Sequence, residues 1–362
     1  MTKITSIFML ETANFADEIN RAQHQSMQMD SSMLSFGLGI DDPKGIFGTT
    51  SGLAKAFGSE RVFDMPTAEN AMTGIGIGAA IAGSRVLMTH QRLDFFLLAM
   101  DQLVNNAAKW HYMFNGMMKV PITIRLIIGR GWGQGPTHAQ NLQAWFAHVP
   151  GLKVVVPSRT ENVAQQLHQA IMDDNPVLFI EHRWLHQQSC HTESIVSLEQ
   201  PLEHTQIVRE GKNITVVANS YMLLEALRAA EHLAELGIDC EVIDTACLHQ
   251  INWSVLHSSI EKTGHLLVCD SARKEFSCGA EILANLSENC FGHFNRAPVR
   301  LGLPDYPEPT SYGLTKDFYP CAQAIACKIS ELLGSKKSLE AHSPLEQSGH
   351  HDVPGSWFKG PF

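Results

Sequence analysis

The sequence lacks several things, and each shortage closes off a class of function. None of its 8 cysteines forms a Cys-x-x-Cys pair. Scattered thiols of this kind suit a reducing compartment and argue against a disulfide framework or a zinc site. No pair of the 18 histidines has the His-x-x-x-His spacing on a predicted helix, so a catalytic transition metal has no ligand set to stand on. No apolar run approaches the ~20 residues of a membrane span, and Met1-Thr2-Lys3 is not followed by the apolar core of a signal peptide. The chain also has no basic block, and its net charge is -10. Nucleic acid and anionic membrane are therefore poor partners, and the location expected is cytoplasmic.

What is present is a globular composition in a chain too long for one ordinary core. Of the 362 residues, 44% are hydrophobic and 18% charged, which predicts two domains. Strand-like and helix-like patterns alternate. Val120 to Ile128 is a β-branched run ending in glycine, and Leu152–Val156 and Val177–Ile180 are two more. Between the last two, Thr160 is positioned to cap a helix whose apolar residues Val163, Leu167, Ala170 and Ile171 follow the helical period. Phe96, Ala99, Met100, Leu103 and Ala107 form a similar stripe. After a polar stretch the alternation resumes with Ile214–Val217, a helix from Tyr221 that Gly237 can end, Glu241–Ile243, a helix from Trp253, Leu266–Val268 and a helix from Gly279. A last helix, Ala322 to Leu333, stops at Gly334. The fold class predicted is α/β, with two domains, each a mainly parallel sheet with helices on both faces. The boundaries are residues 1–190 for the first domain, 191–212 for a linker, 213–334 for the second domain and 335–362 for a polar tail with an aromatic end. That end (Trp357, Phe358, Phe362) fits either a mobile terminus or docking on the body or a partner.

Two glycine-rich segments carry the chemistry. The first, Thr73-Gly74-Ile75-Gly76-Ile77-Gly78, begins like a dinucleotide fingerprint, but position 79 is alanine and no acidic residue ends a strand about 20 residues later. A helix so rich in small residues predicts close approach by other backbone. Just before it stands a lone carboxylate, Glu69, after a strand-like run and a Met65-Pro66 turn. Alone, Glu69 also reads as a first-turn glutamate favoured by the helix dipole. The second segment, Gly129 to Thr137, cannot build core; its alternate glycines let backbone lie against a ligand, and it ends in His138, whose type titrates near neutral pH.

Asp64-Met65-Pro66-Thr67-Ala68-Glu69 with the glycine helix, Met100-Asp101-Gln102, Ala107-Ala108-Lys109, Gly135-Pro136-Thr137-His138-Ala139-Gln140 and Pro150-Gly151-Leu152-Lys153 together resemble the pyrimidine-binding half of thiamine-diphosphate enzymes. The likeness is greatest to the beta chain of the decarboxylating component of 2-oxoacid dehydrogenases. It implies that Glu69 hydrogen-bonds the aminopyrimidine N1′ of thiamine diphosphate. A carboxyl in that role holds a proton near neutrality, and the apolar neighbours Met65, Pro66, Ala68 and Met72 favour this. The resemblance further implies that Phe95 supports the pyrimidine ring and that His138 meets the reacting substrate. Ala170, Ile171, Asp173 and Asn175, with the outlying Ile122, match a segment whose main-chain oxygens hold a structural potassium ion in some relatives.

The Gly-Asp-Gly…Asn motif that holds the cofactor's diphosphate through Mg2+ is absent from the sequence. The resemblance therefore implies an alpha-type partner carrying that half, in an assembly of two beta and two alpha chains. It implies a small 2-oxoacid as substrate, oxidative decarboxylation as the reaction and a lipoyl acyltransferase as acyl acceptor. A two-chain carboligase or split transketolase, passing a two-carbon unit to an aldehyde or keto sugar, remains open. So does a non-catalytic regulatory paralogue. Two departures bear on this choice: Gly39-Ile40-Asp41-Asp42 stands where many beta chains have Gly-Glu-Glu, so Asp41 either supplies that charge or the donor set has changed. Cys269-Asp270-Ser271-Ala272-Arg273 replaces a Glu-Gly-Gly stretch.

Overall fold

The computed structural model describes residues 12–131, 133–334, 345, 351–355 and 357–360. The first domain opens with a short strand β1 (Thr12–Asn14) and helix α1 (Phe15–Met29), whose cap is the Asn14 side chain accepting from the Asp17 N–H. There follow β2 (Leu34–Gly37), α2 (Leu53–Phe57), β3 (Val62–Phe63), α3 (Glu69–Ile81), β4 (Val86–His90) and α4 (Leu93–Phe96). Next come α5 (Ala108–Met113), β5 (Ile122–Ile128), α6 (Gln143–Ala147), β6 (Lys153–Val155), α7 (Thr160–Met172), β7 (Val177–His182) and β8 (Ser189–His191). Six of these strands form one parallel sheet in the order β3-β2-β4-β5-β7-β6. Its central strands are buried along their whole length, as apolar runs covered on both faces must be. On β5, Ile124, Leu126 and Ile128 point toward α3 and Phe96, while Ile127 points toward α1 and α7. Arg125 lies on that second face, fully buried, and pairs with Glu181 at 2.6 Å.

The second domain comprises β9 (Gln206–Arg209), β10 (Ile214–Ala218), α8 (Tyr221–Glu235), β11 (Cys240–Asp244), α9 (Trp253–Thr263), β12 (Leu266–Arg273), α10 (Cys278–Cys290), β13 (Val299–Leu303), α11 (Tyr312–Thr315) and α12 (Ala322–Leu333). Its sheet runs β13-β12-β10-β11-β9, with only β9 antiparallel. Helices α8 and α12 cover one face and α9 and α10 the other. Gly237 ends α8 at φ 81°, with the Ile238 N–H reaching back to the Leu233 carbonyl. The expected α/β architecture is thus observed in both halves.

Four details differ from the sequence reading. Thr160 is the first helical residue of α7, not its cap, and its hydroxyl instead donates to the Gln188 carbonyl at 3.1 Å. The stretch taken as a linker, 191–212, contains β9; a four-residue edge strand, Gln-Ile-Val-Arg, half exposed on both faces, carries no clear alternation. The stripe from Phe96 to Ala107 is not one α-helix. A 3-10 turn at Leu97–Ala99 and a π-helical segment at Gln102–Ala107 interrupt it, yet Phe96, Ala99, Leu103 and Ala107 all remain buried. Finally, most of the polar stretch 335–350 and the terminal Phe362 lie outside the described residues, but the described part of the aromatic end docks on the body. Phe358 is buried near Trp184, and the Gln187 amide pairs with the Lys359 N–H and the Gly360 carbonyl at 2.7 Å each.

The two domains are joined by more than the chain. Backbone bonds run from Val156 N–H to the Ala246 carbonyl (2.6 Å) and from Leu248 N–H to the Val154 carbonyl (3.0 Å). Ser158 donates to buried Asp244 at 2.8 Å and accepts from the Ser220 N–H, and Gln143 donates to buried Asp270 at 2.9 Å. The altered Asp270 segment is therefore a domain clamp: Asp270 also accepts from the Ala272 and Gly279 N–H groups. Burial raises its carboxyl above the usual range.

Candidate active site

In a parallel sheet, ligands gather beyond the carboxyl ends of the strands. Helix α3, which follows β3, begins with Glu69 itself; the residue before it, Ala68, offers no side-chain cap. Glu69 is 8% exposed, beside Met65 and Met72 of the core. Its carboxyl makes no hydrogen bond or ion pair with any other described residue. With no partner among the described residues and its oxygens still open to solvent, this carboxyl is available to bond a ligand. The glycine helix is less crowded than its composition predicts. A methyl group on Gly76 would meet side chains of Phe36 and Ile122 at 3.1 and 3.3 Å, but one on Gly78 would meet nothing within 4 Å. Among the described residues no backbone approaches α3 at those glycines, and Ile75 and Leu98 are exposed.

Phe95 and His138 are 43 residues apart in sequence and meet edge to face, with ring centroids 5.4 Å apart. Phe95 is 39% exposed, so its ring is available as a platform. The His138 ring is exposed, and its Nδ1 lies 3.0 Å from the Thr137 hydroxyl, which leaves Nε2 as the outward nitrogen. The loop is tied to the Phe95 turn by Asp94, which accepts from the Gln140 side chain at 2.8 Å. Sequence reasoning missed this tether. Asp41 is exposed in the turn-rich segment after β2; Asp64, not Asp41, reaches back to that segment by accepting from the Gly39 N–H at 2.7 Å. In the potassium-like segment, the Arg85 guanidinium donates to the carbonyls of Ile171 (2.6 Å) and Asp173 (2.7 Å), and Thr123 donates to that of Ala170 (2.8 Å). The Ala170 carbonyl also accepts from the Asp173 N–H at 3.3 Å and is fully used, whereas those of Ile171 and Asp173 keep a second lone pair.

The same strand ends carry three arginines that the sequence did not single out as a group. Arg92 follows β4, Arg130 follows β5 and Arg183 follows β7; they are 7%, 4% and 3% exposed. Arg92 and Arg183 flank one ring, Phe47, at 5.8 and 4.5 Å. Arg130 sits among Trp184, Tyr221 and Tyr319 at 4.8, 5.3 and 4.3 Å. Each ring contact is worth ~2 kcal/mol when desolvated, against several kcal/mol for taking an ion out of water. The single ring at Arg92 falls short of that cost, whereas the three at Arg130 are of about its size. Burial, followed by repulsion from Arg92, brings the Arg183 pKa down to about 10. Burial together with the charges of Arg130, His186, Arg92 and Arg183 holds His182 well below its usual pKa. His182 and His186 do have the x-x-x spacing, but on a strand end and a turn, not along a helix.

Comparison with known proteins decides what this arrangement belongs to. Residues 11–188 match the transketolase pyrimidine-binding domain and residues 203–325 the transketolase C-terminal domain. The chain is 34% identical to a mitochondrial pyruvate dehydrogenase E1 component subunit beta of Pisum sativum, over 85% of this chain and 87% of that one. It is 34% identical to a 2-oxoisovalerate dehydrogenase subunit beta of Bacillus subtilis, over 82% and 91%. The chain belongs to the E1 beta family. An acetoin:2,6-dichlorophenolindophenol oxidoreductase subunit beta of Cupriavidus necator is 35% identical to this E1-beta-type chain over 88% of it and 97% of the relative. A split-gene transketolase solved as an inactive beta4 tetramer shares the fold, with TM-score 0.71 at 22% identity, over 88% of this chain and 97% of that one. The E1 beta family is thiamine-diphosphate-dependent. The partnerless carboxyl of Glu69 and the half-open ring of Phe95 fit the pyrimidine end of that cofactor.

Proposed function

We propose that this chain is the beta half of a thiamine-diphosphate-dependent 2-oxoacid decarboxylase that passes the acyl group to the lipoyl arm of an acyltransferase. The observation that carries the reading is Glu69, nearly buried at the start of α3 and without a partner among the described residues. When bound, the cofactor supplies an electron sink for the carbon left by decarboxylation. Glu69 holds the proton at the pyrimidine N1′. Phe95 supports the ring, and its edge contact with His138 keeps the imidazole over the same space. His138, oriented through Nδ1 by Thr137, presents Nε2 to donate or take a proton at the substrate oxygen.

The diphosphate and its Mg2+ fall to an alpha-type partner, in a two-plus-two assembly. The uncovered side of α3, with Ile75, Gly78 and neighbouring Leu98, is the face proposed to meet it. The carbonyls of Ile122, Ile171, Asp173 and Asn175 are proposed to hold a structural potassium ion beside Arg85; that of Ala170, already fully used, is left out of the set. No helix among the described residues is long and apolar enough to cross a membrane, and the eight cysteines are free thiols. A cytoplasmic location completes the proposal.

The test is reconstitution with the alpha-type chain, followed by assay of several 2-oxoacids with lipoamide, a dye or aldehydes as acceptor. Carbon dioxide release is expected from the native assembly and should fall ~100-fold or more in Glu69→Gln, the size of a lost proton-transfer group. Equal turnover by the two would defeat the reading. The unfolding temperature should be higher in potassium than in sodium salts of equal strength; identical values would remove the ion.

A further inference from the structure

We infer that the C-terminal segment 351–360 is a strap that positions His138 for the proposed reaction, with Asp352 and Phe358 as its positioning residues. The segment lies beyond both matched domains, which end at residues 188 and 325. It crosses from the second domain to the first. At one end the His351 ring lies on Tyr312, with centroids 3.9 Å apart, and its Nε2 is 2.9 Å from the Thr315 hydroxyl, both partners belonging to α11. At the other end Phe358 is buried near Trp184, and Gln187 holds the backbone of Lys359 and Gly360. Trp184 and Gln187 follow β7 of the first domain.

Between these anchors the strap presses on the glycine loop. Gly131, Gly133 and Gly135 all have left-handed backbone, at φ 97°, 69° and 70°. A methyl group on Gly131 would run into the Asp352 carbonyl, and methyl groups on Gly133 and Gly135 would run into Thr310, just before α11. The alternate glycines that the sequence offers to a ligand are thus met by atoms of this chain. A loop with three glycines is costly to order, so contacts from outside must set its shape. Gly135 opens the 3-10 turn that ends at His138, whose N–H returns to the Gly135 carbonyl at 3.4 Å. The imidazole is therefore held from one side through Gly131 to Gly135 and from the other through Asp94 and Gln140. Charge favours the same docking. The Tyr319 hydroxyl feels the Arg130 cation and the Asp352 carboxylate in opposite directions, which puts both close to one atom. Asp352 is 4% exposed, so the strap carries a buried negative charge to strand ends where Arg130 is itself buried.

The inference rests on the role proposed for His138 and adds what keeps that residue in place. A misplacement of ~1 Å in a reacting group costs ~100-fold in rate. The test compares Phe358→Ala, which removes the buried anchor, with Phe358→Leu, which keeps it apolar, in the reconstituted assembly. In Phe358→Ala, kcat for carbon dioxide release should fall ~10-fold or more, while Phe358→Leu stays close to wild type. Added to His138→Ala, the Phe358→Ala change should lower kcat no further, because nothing is left to position. An equal loss in both backgrounds would mark the segment as merely structural and overturn the inference. Hydrogen exchange reads the strap without turnover: amides 129–138 should exchange ~10-fold faster or more in Phe358→Ala, with β5 and β7 unchanged. Unchanged exchange in the loop would overturn the inference. Faster exchange in an assembly that decarboxylates no 2-oxoacid would support the strap and defeat the decarboxylase reading, so the two fail separately. His351→Ala, which loosens the opposite anchor, should shift exchange in the same direction and decides the matter if Phe358→Ala does not assemble.

Discussion

Asp244 gives the sharpest quantitative expectation. It ends β11, is buried, and accepts a hydrogen bond from Ser158 of the other domain at 2.8 Å. Burial brings its pKa up from 3.8 to about 7, against smaller opposing effects of Ser158 and Arg159. A carboxyl with a raised folded-state pKa favours the folded state when protonated. Its contribution is fully present below about pH 4 and is lost as pH rises through 7. A shift of that size amounts to ~4 kcal/mol between the two ends of the window. Asp244→Asn cannot ionise; its carbonyl oxygen still accepts from Ser158, but its amide hydrogens gain no acceptor, at a cost of ~1–3 kcal/mol. The wild-type loss begins at the unfolded pKa near 4, so the variant should be less stable than wild type at pH 4 and more stable at pH 8. Denaturant titrations of both proteins across that range measure the difference directly, because every other titrating group cancels. Stability curves that stay parallel from pH 4 to 8 would refute the reasoning.

Three further outcomes follow from the geometry. A methyl group on Gly131 would lie 2.1 Å from the Asp352 carbonyl at a backbone φ of 97°, so Gly131→Ala should release the C-terminal segment, read as faster proteolysis after residue 334. Phe358→Ala should do the same with the sheets intact, since losing a buried phenyl costs ~3 kcal/mol and the loss falls on docking alone; unchanged proteolysis in both would show that the segment is held elsewhere. Gly78→Leu, at a helical position with open space around it, should leave the unfolding temperature of the isolated chain within about 2 °C while blocking assembly with the alpha-type chain, measured by sedimentation. Normal assembly would move the interface off α3.

Much of the fold was legible because its signals are local. The β5 and β7 runs are β-branched and bounded by turn residues, and the Gly237 and Gly334 stops act through their own backbone angles. Glu69 was legible because a carboxyl beside a small-residue helix is conspicuous, and His138 because a glycine loop leads to it. The arginine cluster was not. Arg92, Arg130 and Arg183 are scattered over 91 positions, and each alone looks like a loop cation; only the parallel order β4-β5-β7 brings their carriers together. Strand β9 was missed because an edge strand half exposed on both faces loses its period. The docking of Phe358 depends on Trp184 and Gln187, about 170 residues earlier in the chain.

The π-helical segment at Gln102–Ala107 acts as a phase setter. An α-helix advances about 100° per residue, so one extra residue within a turn offsets everything before it relative to everything after it. Downstream, Ala107 and Ala108 are fixed in the core, with the Ala108 carbonyl so close to Gly151 that no side chain fits between them. Upstream, Leu93, Phe96 and Ala99 are fixed just as firmly in the same core, and Asp94 holds Gln140. The wide turn is therefore what lets two separately anchored ends belong to one helical rod. Deleting one residue within 102–107 would set those ends against each other, so that either Phe96 and Ala99 or Ala107 and Ala108 would have to leave the core. In this chain a length change would strain the platform that Phe95 forms, where a surface substitution would leave it in place.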